Sequence, residues 1–116
     1  MNRRYKIKNG IKKTGREAVI TDGGWQSMPF YAVIQHHHKN TKTEFEDRFT
    51  EIGFVSRDYY TYIGPFDHDI MAVSDDAVIK SGAESYVFKK KEAVTVGGET
   101  IYYYGILKKL QEGSYD

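Results

Sequence analysis

Residues 77–110 read AVIKSGAESYVFKKKEAVTVGGETIYYYGILKKL, and this stretch decides the fold. Short runs of β-branched and aromatic residues alternate with glycine-containing turns. Residues 77–80, AVIK, form a strand that turns at Ser81-Gly82. Residues 84–91, ESYVFKKK, form the next strand, and 93–96, AVTV, lead to a turn at Gly97-Gly98. Residues 100–110, TIYYYGILKKL, form a last long strand. Closely spaced strands joined by Gly turns read as an antiparallel meander.

Outward from the meander, the same grammar continues. Residues 16–22, REAVITD, read as a first strand, closed by the turn Asp22-Gly23-Gly24. Residues 29–38, PFYAVIQHHH, read as a second, with Pro29 at its start where a missing N–H costs least. Residues 39–44 are a polar turn. A hairpin is expected with strands near 45–52 and 57–63, ended by Gly64-Pro65. Residues 65–76, PFDHDIMAVSDD, form an acidic connection with room for one helical turn. No segment shows an amphipathic helix of ordinary length, so 1–15 is read as an extended arm. The expected fold is all-β: a small barrel or sandwich of about five to seven strands over 16–116, with that N-terminal arm.

The chain has 116 residues, enough for one domain. Its 15% aromatic content argues against wholesale disorder. It has no cysteine, which removes disulfides and thiolate sites and suits a reducing cytosol. No apolar run is long enough to span a membrane, and MNRRYKIKNGIKK lacks the apolar core of a secretory signal.

The net charge of +1 hides an asymmetry. The first sixteen residues hold Arg3, Arg4, Lys6, Lys8, Lys12, Lys13 and Arg16 and no acid, which is +7. The remaining hundred therefore carry −6. A cluster at Asp67, Asp69, Asp75 and Asp76 is opposite in charge to the arm. In a head-to-tail ring, one subunit's arm would reach the next subunit's acidic loop. Strand faces point the same way. Phe30, Ala32 and Ile34 share one face, yet Tyr31 and Val33 occupy the other. Ile101, Tyr103 and Leu107 oppose Tyr102, Tyr104 and Ile106. Two apolar faces per strand exceed what a lone barrel needs, and burial against other subunits is preferred over loops folding across them.

The chemistry-bearing residues do not assemble into a catalytic set. His36 and His38 share a strand face, and His68 with Asp67 or Asp69 would have to complete a metal site, but spacing supports nothing further. The triplet is read as a strand end entering a polar loop. Asp67-His68-Asp69 lacks an accompanying nucleophile elbow. Asp75-Asp76 cap a turn, Gly97-Gly98 is not a phosphate loop, and Lys89-Lys90-Lys91 reads as a solvated strand edge. Tyr59, Tyr60 and Tyr62 suit base stacking, but the acidic body argues against a nucleic-acid groove. No enzyme, metal or cofactor is expected.

The segments FTEIGFVSRDYYTYIGPFDHDI and DDAVIKSGAESYVFKKKEAVTVGGETIYYYGILKKL, from Phe49 to Leu110, resemble small proteins of Gram-positive prophages and PBSX-like phage-tail elements. The cues are Ile52-Gly53, Asp58 to Pro65, and the meander from Gly82 to Leu107. The meander is more loosely similar to that of head-closure, head–tail joining and neck proteins. The resemblance implies a structural role without chemistry: a ring acting as collar, neck or joining layer at the end of a phage or tailocin tail tube. It implies partners too, namely copies of itself and adjacent tail-tube, terminator or portal proteins, with DNA passage through the ring possible and no membrane. It implies assembly in bacterial cytoplasm, then a place in the particle. The subunit interface is assigned to Arg3, Arg4, Lys6, Lys8, Asp67, Asp69, Asp75, Asp76, Tyr102 and Tyr104. The alternative is a small β-barrel nucleic-acid-binding module using the basic arm.

Overall fold

The computed structural model describes residues 3–36 and 59–110. The strand expected near 45–52, His37 and His38, and Asp58 with the residues before it back to Phe49 lie outside the described residues.

Seven strands follow one helix: α1 (Arg3–Thr14), β1 (Arg16–Asp22), β2 (Trp25–Gln26), β3 (Phe30–His36), β4 (Tyr59–Pro65), β5 (Val78–Ser81), β6 (Glu84–Val96) and β7 (Glu99–Lys109). Neighbours run β1-β3-β4-β7-β6-β5, all antiparallel, and β5 pairs back onto β1. The result is a closed six-stranded barrel with β2 added beside β1. β1 makes closure possible by bending: Arg16–Ala18 pair with β3, and Val19–Thr21 pair with β5. The anticipated turns are present, with positive φ at Gly23, Gly82, Gly97 and Gly98.

Alternation fills the interior. Ala18 and Ile20, Phe30, Ala32 and Ile34, Tyr62, Ile79, Tyr86, Phe88, Tyr103 and Leu107 form one cluster. Tyr62, Ile79, Tyr86 and Leu107 are fully buried. Each large apolar side chain removed from water this way contributes about 1.5–3 kcal/mol.

Besides the short β2, which was not expected, two longer elements differ from expectation. The arm is not extended: Arg3–Thr14 is a helix. Ile7 and Ile11 are one turn apart, and Ile11 is buried without joining the interior cluster. The helix lies against β3, β4 and β7, so docking rather than intrinsic preference holds it. Gly15 ends it. Its N–H bonds the Ile11 carbonyl, and a Cβ there would collide with the Ala32 carbonyl oxygen of β3. The helix also covers part of the second apolar face within the same chain, the alternative set aside in favour of neighbouring subunits.

The second difference is β6, expected as two strands and found as one of 13 residues. The pairing with β7 slips between Phe88 and Lys90, a bulge at Lys89. The bulge re-aims the side chains beyond it. The Lys91 side chain is only 13% exposed and its Nζ donates to the Val73 carbonyl at 2.8 Å. The lysine triplet is therefore not uniformly a solvated edge.

Candidate functional site

The segment between β4 and β5 is pinned by Ile70 and Ala77, both fully buried. Asp69 caps the single 3-10 turn Ile70–Ala72, its Oδ1 accepting the Met71 N–H at 2.8 Å. Asp22, at the end of β1, accepts the Ser74 N–H at 2.9 Å and its hydroxyl at 2.7 Å. These hydrogen bonds hold the Asp22 carboxyl below its ordinary pKa. The His68 ring stacks on Phe30 with centroids 4.3 Å apart, and its Nδ1 lies 3.4 Å from Asp67 Oδ1.

A second segment faces this loop. After the Gly23-Gly24 turn, Ser27 ties the chain back to β1. Its N–H donates to the Ile20 carbonyl at 2.8 Å and its Oγ accepts the Ile20 N–H at 3.0 Å. That anchor leaves Trp25 53% and Met28 77% exposed. Between the two segments lies an open cleft of about 560 Å³, lined by Asp22, Trp25, Met28, Asp67, His68 and Asp69 among others. Carboxylates beside an exposed indole favour a cationic group, through charge and through the ring face.

The helix borders this cleft. Lys8 Nζ reaches Asp67 Oδ2 at 2.5 Å. Partial burial works to raise the Asp67 pKa, but hydrogen bonds from Lys8 and His68 and their charge together hold it below the ordinary value. Arg4 pairs with Glu99 at 3.1 Å, its guanidinium 4.1 Å from the centre of the Phe66 ring. Tyr5 meets the same ring edge-on. The attraction between arm and acidic loop, expected between subunits, thus operates within one chain for Lys8 and Asp67.

The remaining assigned residues divide by position. Arg3 and Lys6 are exposed on α1. Asp69 lines the cleft and is hydrogen-bonded to Tyr103, whose phenol is pushed up by burial and then by that carboxylate. Asp75 is exposed, 3.9 Å from Lys91 Nζ, and Asp76 is exposed beside it. Tyr102 and Tyr104 are half-buried on the outward side of β7. Burial, and next the Glu92 charge, raise the Tyr104 pKa against its hydrogen bond with Thr61. His36 and His68 are not brought together. His36 sits at one end of β3, edge-on to Tyr60, and His68 stacks at the other, about 20 Å along the strand. Among the described residues, no three His, Asp or Glu side chains are placed to share a metal ion.

The sequence reading passed over Trp25 and Met28. Their signal was a large aromatic and a methionine in a turn-rich stretch between Gly24 and Pro29. Among the described residues, no helix is long and apolar enough to cross a membrane. Against family models, curated proteins and solved structures, the chain has no significant match.

Proposed function

We propose that this chain is a structural component of a phage or phage-tail-like particle, assembling as a ring at the end of the tail tube. The observation that carries it is the β6–β7 hairpin. β6 pairs with β5 only from Glu84 to Val87. From Phe88 to Val96 it has β7 on one side and, among the described residues, no strand on the other. Beyond the Lys89 bulge this edge carries Val94 and Val96, the latter 45% exposed. Such an edge is a template for pairing; near Lys91 it is covered by the Val73 segment, which leaves Thr95 and Val96 exposed toward the hairpin tip. The interior supports a building block as well, since side chains such as Tyr62, Tyr86 and Phe88 fill it. The resemblance of the Gly82–Leu107 meander to neck and head-closure proteins supplies the kind of assembly.

Electron microscopy of particles from the native host, with this chain located by a bound antibody fragment, tests the reading. A ring at the tube end is expected. Particles that never carry the chain overturn it.

A second reading, nucleic-acid binding, is favoured by the outward basic residues of α1. It requires affinity that falls steeply with salt.

A further inference from the structure

The helix presents two faces. Arg4, Ile7, Lys8 and Ile11 recur at helical spacing, and all are half-buried or buried. Arg3, Lys6, Gly10 and Lys13 recur at the same spacing on the other side, and all are exposed. Arg4 and Lys8 are neutralised by Glu99 and Asp67 of the same chain. Arg3, Lys6 and Lys13 form a cationic stripe about 15 Å long, with a notch at Gly10 where nothing lies within 4 Å of a Cβ position.

The cleft beside Trp25 is its complement. Asp22, Asp67 and Asp69 line it, with Lys8 bonded to Asp67 at one edge and Lys91, held by the Val73 carbonyl, close enough to act on Asp22 at another. Its other wall is apolar and exposed, Trp25 and Met28, with Met71 48% exposed on the flanking turn. Exposed apolar groups of this size gathered at one place mark a contact surface.

We infer that the acidic, Trp25-walled cleft receives the Arg3–Lys6–Lys13 stripe of α1 from a second copy of the chain. This rests on the ring reading and names its subunit contact. The contact joins two different surfaces of identical subunits, so it is heterologous and propagates into a ring when the rotation closes. Lysine stems lie along Trp25 and Met28 while their ammonium groups meet the carboxylates. A second copy fits better than nucleic acid. Three cations fall short of the six to ten phosphate contacts that give about 10³–10⁵-fold salt sensitivity, and the chain carries its own complementary surface.

The test uses the full chain and sedimentation velocity over a concentration series. Lys6→Glu with Lys13→Glu reverses the stripe, and Met28→Lys places a cation in the cleft; all three positions are exposed, and circular dichroism checks the fold. Each variant is expected to weaken self-association by about tenfold or more. Association that neither variant changes overturns the docking while leaving the ring reading standing. A wild-type chain that stays monomeric at every concentration overturns the docking too, and the particle micrographs then decide the ring reading separately. A stripe variant that loses binding to a 20-mer DNA duplex but keeps its self-association assigns the stripe to nucleic acid and overturns the proposal.

Discussion

Tyr62 stands in the middle of the barrel, and its hydroxyl has no hydrogen-bond partner among the described residues. Burial drives its pKa far up, so the phenol stays neutral. An unpaired buried hydroxyl costs about 1–3 kcal/mol. Tyr62→Phe keeps the ring and deletes the cost, so chemical denaturation should show stability unchanged or raised by about 1 kcal/mol; a clear loss would reveal a partner for the hydroxyl. Gly64, two residues on, leaves room for that ring, and a methyl there would strike the hydroxyl and two ring carbons. Gly64→Ala should destabilise by about 1–3 kcal/mol, and Tyr62→Phe should not rescue it, because the ring carbons remain. Asp67 gives a pH prediction. Its folded pKa lies below the ordinary 3.8, so its contribution to stability is complete above the unfolded value and disappears as pH falls through the folded one. Asp67→Asn should flatten the acid side of the stability profile below about pH 4, measured by thermal melts, and leave the slope near neutrality unchanged.

At the scale of elements, the strands were legible wherever alternation and glycine turns agreed. β1 was read to the residue, and β5 and β7 to within one, because the turns at Gly23, Gly82 and Gly97-Gly98 bound them. α1 was not legible because seven cations crowd residues 3–16 and its apolar signal is two isoleucines. Gly10 looked like punctuation, yet it sits inside the helix with its carbonyl accepting the Thr14 hydroxyl at 2.9 Å. β6 was split because the face pattern breaks at the lysines, and only the pairing with β7 shows that break as a bulge. If tertiary contact holds α1, then Ile11 carries much of it. Ile11→Ala should cost about 2–4 kcal/mol of docking. Hydrogen exchange should quicken at the helix amides while β4 and β7 stay protected. Equal loss of protection across the barrel would show that the helix belongs to the folding core.

For the whole molecule, barrel closure was the part that pattern alone left open between barrel and sandwich. It depends on three pairs, Val19–Lys80, Ile20–Ile79 and Thr21–Val78, between segments nearly sixty residues apart. Local periodicity says nothing about such a pairing. The candidate site was half legible for the same reason. The charges of Lys8 and Asp67 announced an attraction, but only the fold shows that it closes within one chain, and only the fold sets Trp25 and Met28 across from Asp69. This changes what tests assembly. Deleting residues 1–15 would bare the strand faces that α1 covers, so a loss of assembly would not isolate the charge. Salt isolates it. The outward stripe and the cleft rim are exposed, and such pairs contribute about 0–1 kcal/mol each. The screening length falls from about 10 Å at 0.1 M salt to about 3 Å at 1 M. Apolar burial against Trp25 and Met28 does not weaken with salt in this way. Self-association should therefore drop by about five- to thirtyfold between 0.1 and 1 M sodium chloride without vanishing, because about 1–2 kcal/mol of screened attraction is lost and the apolar contact stays. Association indifferent to salt would place the contact elsewhere, with the Val94–Val96 end of β6 the next surface to substitute. Association abolished by salt would mean that charge alone holds the copies together and that the indole wall takes no part.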